Sequence, residues 1–348
     1  MHFEAPTIPS FDHNSANAVR NRQNSLIKPA GSLGRLEEIS VQIAGIQGVA
    51  TPSVKKKSVI VMAGDHGVSI EGVSAFPSNV TQQMVGGILM GKAAINAIAG
   101  YTGANVRLID MGVDFDFPET MNLENRKVHR GTANMAEKPA MTQEQVLKAI
   151  KIGMTIAHEE AEKGVELIAL GEMGIGNTTP SSAIISTITG VPVSTVTGRG
   201  TGVDNCGLNR KVAVIEKAIE VNQPDPSDPL DVLMKLGGLE IAGLVGVILG
   251  AATHRIPVVL DGLISSAAAL IAYEIHPELR LFLLAGHKSV EPGQQAVFER
   301  IGLKPILDLN MRLGEGTGAV LASNIIDTAC RVLNEMGTFE ELGISGVS

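Results

Sequence analysis

Short apolar runs, each ending in a polar or glycine-rich turn, recur along the chain and restrict its fold more than any other feature. Helical patterns follow most of these runs, and strands that alternate with helices build a mostly parallel sheet with helices on both faces. The runs predicted as strands cover residues 58–62, 106–109, 166–170, 193–196, 257–260, 281–284 and 305–309.

The number and spacing of the runs predict the type of sheet. A hydrophobic fraction of 44% against 18% charged residues is typical of a sheet that is buried on both faces. A TIM barrel shares this alternation, but it needs eight strands and helices of similar length. The runs number nearer seven and the segments between them differ greatly in length, so we expect an open, doubly wound α/β sheet.

Three segments carry clear helix signals. The helix predicted over 142–163 begins with Thr142 and Gln145 at the spacing of a capping box. The helix predicted over 208–222 ends at the proline-rich stretch 223–229. The apolar segment 239–252 is the strongest membrane candidate, but it is shorter than the roughly 20 residues of a spanning helix, so we expect a buried helix.

The two ends of the chain look helical and lack associated strands. Residues 16–48 and 317–337 have this character, and the ends of compact domains often lie close together. We therefore expect a small helical domain made of residues 1–55 and 318–348. The large α/β domain, residues 56–317, should carry the active site.

Composition excludes several classes of protein. A net charge of -8 argues against nucleic acid as a partner. The two cysteines, Cys206 and Cys330, are too few for a disulfide framework and lack zinc-site spacing. Residues 1–24 are polar and show no signal-peptide core, so we expect a cytoplasmic protein that is not inserted in a membrane.

Glu315 is the first candidate for chemistry. It lies between Gly314 and Gly316, after a predicted strand and before a predicted helix. Glycines let the backbone turn sharply and approach a ligand, and a carboxyl group in a cleft with little water is a plausible general base. On spacing alone, a loop glutamate stabilised by the dipole of the following helix explains the motif nearly as well.

A second candidate site is the glycine-rich turn 171–180, which leads from a strand into a helix predicted to open near Ser181. Backbone N–H groups and a helix N-terminus there form a possible phosphate cradle, and an ordinary tight turn fits equally well. Lys211 adds a charge if its helix points at the same edge, although an exposed lysine is the usual case. The turn is neither a Walker loop nor a dinucleotide fingerprint, which disfavours a nucleotide-dependent oxidoreductase.

Other polar residues at predicted strand ends have weaker signals. Asp65 and His66 lack a second cluster at metal-ligand spacing, so structural roles are favoured for them and no metal site is expected. His287 and Ser289 either contact substrate or cap the next helix. Asp261 stands without a second acidic residue, which disfavours a donor activated by a magnesium-bound diphosphate.

The chain resembles the nicotinate-nucleotide:dimethylbenzimidazole phosphoribosyltransferases. The resemblance covers nearly the whole chain and rests on motifs in the same order, namely 28–36, 64–68, 171–180, 260–262 and 311–319. It implies transfer of the 5-phosphoribosyl group from nicotinate mononucleotide to 5,6-dimethylbenzimidazole, giving α-ribazole 5'-phosphate for the lower ligand of cobalamin. It also implies a Rossmann-like large domain, a small helical domain and a homodimer.

The same resemblance assigns roles to residues. Glu315 corresponds to the base that takes the acceptor proton, with inversion at C1', and Glu172 to a second carboxylate near the ribose. Nicotinate departs neutral at its ring nitrogen, so the reaction requires no cofactor or metal. The remaining residues implied to bind substrate are Gly174, Ile175, Gly176, Asn177, Thr178, Lys211, Asp261, Ser289, Arg312 and Leu313.

Phe76 and Met84 distinguish this chain from the family pattern, which has serine and glutamine at these acceptor positions. Two apolar side chains favour a flat apolar base through stacking and sulfur–aromatic contact. Adenine, other benzimidazoles and phenols therefore stay open as acceptors. A module that binds a nucleotide or corrinoid without turnover is the non-enzymatic alternative.

Overall fold

The computed structural model describes residues 3–344 and contains one seven-stranded parallel sheet in the order β3-β2-β1-β4-β5-β6-β7. The sheet is open, with helices on both faces, which confirms the expected doubly wound α/β fold and not the barrel. Its strands are β1 (Lys57–Gly64), β2 (Asn105–Gly112), β3 (Glu124–Asn125), β4 (Leu167–Met173), β5 (Val258–Leu260), β6 (Leu283–His287) and β7 (Pro305–Leu307).

Helices fill the connections between the strands and extend beyond them at both ends of the chain. The α-helices are α1 (His13–Ser25), α2 (Arg35–Gln47), α3 (Val80–Leu89), α4 (Ala94–Thr102), α5 (Gln143–Glu162), α6 (Thr178–Thr189), α7 (Val193–Val196), α8 (Asn205–Asn222), α9 (Pro229–Leu236), α10 (Leu239–Thr253), α11 (Leu263–Ile275), α12 (Gly293–Ile301) and α13 (Thr317–Glu335).

The strand order reverses between β1 and β4, which fixes the place of a ligand crevice. β1 pairs with β2 on one side and with β4 on the other, and every residue of β1 is buried. In open parallel sheets, ligands bind outside the carboxyl ends of the strands at such a reversal. The turn after β4 lines the cavity found there.

Six of the seven predicted strands are present, and the prediction for 193–196 was wrong. That run is the single-turn helix α7, which follows Pro192 and is closed by a bond from Thr197 N to Val193 O of 3.0 Å. Two valines and a threonine favour a strand locally, but one helical turn packed against α6 overrides that preference. The additional strand is β3, whose two residues are too short to give a pattern.

The predicted internal helices are confirmed. Thr142 Oγ1 accepts from Gln145 N at 3.2 Å, and Gln145 Oε1 accepts from Thr142 N at 2.8 Å, which completes the capping box of α5. Helix α10 is buried along nearly its whole length. By length and composition the stronger membrane candidate is Val80–Thr102, not 239–252, and a turn at 90–93 divides that segment into α3 and α4.

The two ends of the chain pack together as expected. Val19 of α1, Ala44 of α2 and Leu333 of α13 form a small apolar cluster apart from the main core. Arg22 Nε also donates to Leu333 O at 3.0 Å. Because α13 packs against four strands of the sheet as well, the division into domains at 1–55 with 318–348 and 56–317 stays a prediction.

Candidate active site

A cavity of about 570 Å³ opens at the carboxyl ends of the central strands. Eleven of the predicted site residues line it: Phe76, Met84, Glu172, Gly174, Ile175, Asn177, Thr178, Ser289, Arg312, Leu313 and Glu315. Gly176, Lys211 and Asp261 are not part of its wall. The sequence therefore located the cavity and most of its lining.

Glu315 lies in a backbone conformation that few side chains adopt. Its φ is 62°, and the flanking Gly314 and Gly316 have φ of 90° and 87°. A left-handed conformation costs a non-glycine residue on the order of 1–2 kcal/mol, and the surrounding contacts must supply that energy. The Glu315 loop packs closely against Gly171. A Cβ at Gly171 would come 2.5 Å from Glu315 O, so only glycine lets the two segments approach.

The Glu315 carboxyl group is buried beside the start of α4. Its Oε2 accepts a hydrogen bond from Ile95 N at 3.3 Å, in the first turn of that helix. Burial raises the pKa of Glu315 above its ordinary value of 4.5, the Ile95 N–H opposes that shift, and the charge of Asp261 adds to it. A raised pKa brings a carboxylate closer to the range in which it acts efficiently as a base.

Asp261 holds the backbone that follows Glu315. One carboxylate oxygen accepts from Gly316 N at 3.1 Å, and the other accepts from Gly318 N at 2.7 Å and Ala319 N at 3.1 Å. These contacts place Asp261 at the N-terminus of α13, where a carboxylate is favoured by the helix dipole. Asp261 is not among the residues that line the cavity, and it contacts the backbone of the Glu315 loop and, at 3.4 Å, His287 Nε2; its assignment to the donor site stays a prediction.

Glu172 occupies the end of β4 on the other side of that loop. Asn177 Nδ2 donates to its Oε2, and a Cβ at Gly314 would collide with its Oε1. Burial, opposed by the Asn177 hydrogen bond and reinforced by nearby carboxylates that include Glu240 and Glu315, raises the pKa of Glu172 to about 8. Glu172 is thus mostly protonated at neutral pH and able to donate a hydrogen bond into the cavity.

Asp65 and His66 have structural partners. His66 Nε2 and Glu240 Oε1 lie 2.7 Å apart and both side chains are fully buried. Burial opposes the imidazolium form, but the Glu240 carboxylate outweighs it and raises the pKa of His66. Asp65 Oδ2 accepts from Asp114 N at 2.8 Å. Within residues 3–344, no three histidine, cysteine or acidic side chains come together in a way that would hold a metal ion.

The turn after β4 ends in the N-terminus of α6, which begins at Thr178, earlier than the predicted Ser181. Lys211 of α8 donates from Nζ to Thr178 Oγ1 at 2.7 Å. Its side chain is fully buried rather than exposed, and burial lowers its pKa to about 8, against the charge of Glu291. A helix N-terminus backed by a buried lysine has the character of an anion site.

His287 and Ser289 both line the cavity, and each also has a partner in the protein. His287 Nε2 is 3.4 Å from Asp261 Oδ1, and that carboxylate raises the pKa of His287 against the effect of burial. Ser289 Oγ accepts from Glu291 N at 3.2 Å. The two alternatives considered for Ser289, cavity contact and turn capping, are therefore both compatible with its position.

Sequence reasoning missed a second loop at the cavity, residues 198–202. Glu291 Oε1 accepts from Gly200 N at 2.8 Å, and Arg312 Nη1 donates to Gly200 O at 3.0 Å. Gly200, Thr201 and Glu291 all line the cavity. The available signal was the recurrence of glycine at 198, 200 and 202, which we read only as the turn after a strand.

Part of the cavity lining is apolar. Phe76 lies in the loop before α3, Met84 lies on α3, and Leu313 precedes the Glu315 loop. Phe76 is 52% exposed and Leu313 is 57% exposed, so large apolar surfaces stand open to a ligand. A cavity that combines an apolar wall with an anion site suits a ligand with a flat apolar part and a phosphate.

The chain is similar to known phosphoribosyltransferases over nearly its whole length. A phosphoribosyltransferase family model matches residues 8–344. A nicotinate-nucleotide--dimethylbenzimidazole phosphoribosyltransferase from Chloroflexus aggregans is 56% identical, covering 97% of this chain and 96% of that protein. One from Geobacter sulfurreducens is 54% identical, covering 93% and 92%. The crystal structure of CobT from Thermus thermophilus has a TM-score of 0.92 and 42% identity, covering 96% of this chain and 99% of that one.

Proposed function

Because the chain belongs to the nicotinate-nucleotide–dimethylbenzimidazole phosphoribosyltransferase family, we propose that it transfers the 5-phosphoribosyl group of nicotinate mononucleotide to 5,6-dimethylbenzimidazole. The products are α-ribazole 5'-phosphate and nicotinate. This reaction makes the protein a pentosyltransferase of the pathway that builds the lower ligand of cobalamin.

One observation carries the proposal: a buried carboxylate, an anion site and apolar side chains share one cavity. Thr178 and Lys211 mark the anion site, which suits the 5'-phosphate of the donor. Phe76 and Met84 mark the apolar wall, which suits the acceptor base. Glu315 lines the same cavity, so its carboxylate is available to the acceptor as it approaches C1'.

Glu315 acts as the general base in this reaction. The acceptor attacks C1' through one ring nitrogen while Glu315 removes the proton from the other, and the bond from C1' to the pyridine nitrogen breaks. That electron pair stays on nicotinate, whose ring nitrogen was cationic in the donor and leaves neutral. Attack from the face opposite nicotinate converts the β donor into an α product without a covalent enzyme intermediate.

The other predicted residues hold the donor. The protonated carboxyl group of Glu172 donates a hydrogen bond to the ribose. The loop from Gly174 to Thr178 and the N-terminus of α6 bind the phosphate, with Lys211 behind them. Ser289 and Arg312 complete the polar side of the cavity.

The apolar acceptor wall favours 5,6-dimethylbenzimidazole over more polar bases. Stacking on Phe76 and sulfur contact with Met84 stabilise a flat ring with methyl substituents. Adenine presents an amino group and ring nitrogens that would lose water without gaining partners on such a wall. Other benzimidazoles and phenols share the flat apolar character and belong in the acceptor panel.

We also propose that the protein works as a cytoplasmic homodimer with the two domains described above. The acidic surface and the two unpaired cysteines suit a reducing compartment. Met90 and Tyr101, on the outer side of the α3–α4 pair, are 70% and 81% exposed, as expected of an apolar surface that a second subunit covers. Light scattering after gel filtration measures the mass directly.

The experiment that tests the reaction is chromatography of protein incubated with nicotinate mononucleotide and each base in turn. Wild type should release nicotinate and form the ribosylated base, with 5,6-dimethylbenzimidazole preferred. Glu315→Gln should do neither at a comparable rate, while Glu335→Gln, an exposed site at the far end of α13, should behave like wild type.

The alternative of a binding module makes the opposite prediction. Such a module would bind nicotinate mononucleotide with equal affinity in wild type and Glu315→Gln and would release no nicotinate from either protein. Binding without release from wild type, for every base in the panel, would overturn the transferase proposal.

A further inference from the structure

The loop 198–202 contacts the anion site through Gly200 and the segment that carries Phe76 through Thr201. We propose that Thr201 is a positioning residue that sets the choice of acceptor base by holding the segment that carries Phe76. The inference rests on the transferase function proposed above and adds a residue to which neither motif nor resemblance gave a role.

The contacts converge on one hydroxyl group. Thr201 Oγ1 accepts from Ala75 N at 3.0 Å and lies 3.0 Å from Ser74 Oγ. Phe76 N in turn donates to Ser74 Oγ at 3.2 Å. The backbone N–H groups of Ala75 and Phe76 are therefore bonded to Thr201, the first directly and the second through Ser74.

The segment from Ser74 to Phe76 has little else to fix it. It belongs to no helix or strand, and Ala75 and Phe76 are exposed. Among residues 3–344, the hydrogen bonds that join 74–76 to distant parts of the chain all end on Thr201. Without that hydroxyl, the exposed Phe76 ring would sample a wider range of positions over the cavity.

The loop on the other side of Thr201 is firmly held. Gly200 N and O are bonded to Glu291 and Arg312, at 2.8 and 3.0 Å. Gly200 has φ of 52°, and a Cβ there would lie 2.8 Å from Thr178 Oγ1 and 3.0 Å from Lys211 Nζ. The loop therefore rests directly on the anion site.

The geometry gives Thr201 a consequence for specificity. The loop 198–202 is held against the anion site and is bonded to residues 74–76. It therefore sets the position of Phe76 relative to the phosphate site. A flat base gains from stacking only if the ring that it meets is already in place, because ordering that ring on binding costs affinity. Loss of the Thr201 hydrogen bonds should weaken binding of the stacked base and leave binding of nicotinate mononucleotide nearly unchanged.

The test compares Thr201→Val, which keeps the shape and removes the hydroxyl group, with Thr201→Ser, which keeps the hydroxyl group. Thr201→Val should raise the KM for 5,6-dimethylbenzimidazole about five- to tenfold, the effect of losing an ordinary hydrogen bond or two. The preference of this variant for 5,6-dimethylbenzimidazole over adenine should fall by a similar factor. Its KM for nicotinate mononucleotide should change less than twofold. Thr201→Ser should restore the wild-type values.

A second variant tests the route of the effect. Ser74→Ala should weaken binding of the acceptor base, as Thr201→Val does. In the Thr201→Val background it should raise the KM for the base little further, because the partner hydroxyl group is already gone. If Thr201→Val raised both KM values equally, or left acceptor preference unchanged, the positioning role would be overturned.

Calorimetric titration with 5,6-dimethylbenzimidazole separates this inference from the proposed function. If wild type bound the base but released no nicotinate, the transferase proposal would fail, and tighter binding by wild type than by Thr201→Val would still support the role of Thr201. Equal affinities of wild type and Thr201→Val, or no binding by wild type, would overturn that role whatever the turnover.

Discussion

Replacing Glu172 by glutamine should make the protein markedly more stable in alkaline solution than wild type. Burial raises the pKa of Glu172 from 4.5 to about 8, so the folded protein keeps a proton that the unfolded chain has already lost. The stability that this proton confers is complete below pH 4.5 and is lost as pH rises through about 8. The glutamine of the variant has no such proton, and its side-chain oxygen still accepts the hydrogen bond from Asn177.

The size of the effect follows from the two pKa values. Within the window between them, the wild-type free energy of unfolding falls by up to about 1.4 kcal/mol per pH unit relative to the variant. Between pH 5 and pH 9 the pKa of about 8 predicts a relative loss of about 4 kcal/mol in wild type. Groups that titrate alike in both proteins cancel from this comparison.

Urea unfolding followed by far-ultraviolet circular dichroism measures the difference, since the chain has no tryptophan. Between pH 5 and pH 9 the midpoint of Glu172→Gln should fall less than that of wild type, and Glu335→Gln should follow wild type. Parallel pH dependence of Glu172→Gln and wild type would mean that Glu172 is ionised in the folded protein and would refute the donor role proposed for it.

Three further predictions concern rate and binding. The pKa of Glu315 is raised above 4.5, so kcat/KM of wild type should fall as pH drops through that raised pKa. The pH profile of Glu315→Gln should lack this fall and lie about 10²–10⁴-fold lower. A profile unchanged by the substitution would contradict the assignment of Glu315 as the base. Lys211→Met should raise the KM for nicotinate mononucleotide about ten- to hundredfold with little effect on the base, while the exposed Lys217→Met should not, and equal effects would remove Lys211 from the anion site. Gly171→Ala places a Cβ 2.5 Å from Glu315 O, so thermal unfolding should show a free energy of unfolding lower by about 1–3 kcal/mol, and kcat should also fall. Gly100→Ala, with open space around it, should change stability little. If Gly171→Ala changed neither stability nor kcat, the close approach would be contradicted.

The sequence predicted the sheet and most of the cavity because both depend on local pattern. Buried parallel strands give continuous apolar runs, and their polar ends must lie along one edge. Glu172 at the end of β4, Asn177 in the turn after it and Glu315 in the loop between β7 and α13 lie at that edge, and the family resemblance supplied their roles. Residues 193–196 misled the same reasoning, because β-branched residues in one packed helical turn look like a strand.

What the sequence could not show depends on distant segments. Lys211 lies in the middle of an ordinary amphipathic helix, and only the packing of α8 against α6 turns its ammonium group inward. Glu291 and Thr201 act on neighbours more than 90 and 120 residues away. The resemblance placed Asp261 at the donor site, and its contacts with the backbone at the start of α13 appear only once both segments are in place.

The packing of α13 bears on how the protein is made in the cell. This helix contacts β4, β5, β6 and β7 and follows directly after the Glu315 loop, so all seven strands leave the ribosome before it does. Roughly 140 residues separate the end of β4 from the start of α13, which translation at roughly 5–20 residues per second adds in about 7 to 30 s. During that interval the part of the nascent sheet that α13 covers stays exposed. Chaperone supply and slower growth at low temperature should therefore govern the yield of soluble protein more than the stability of the finished fold.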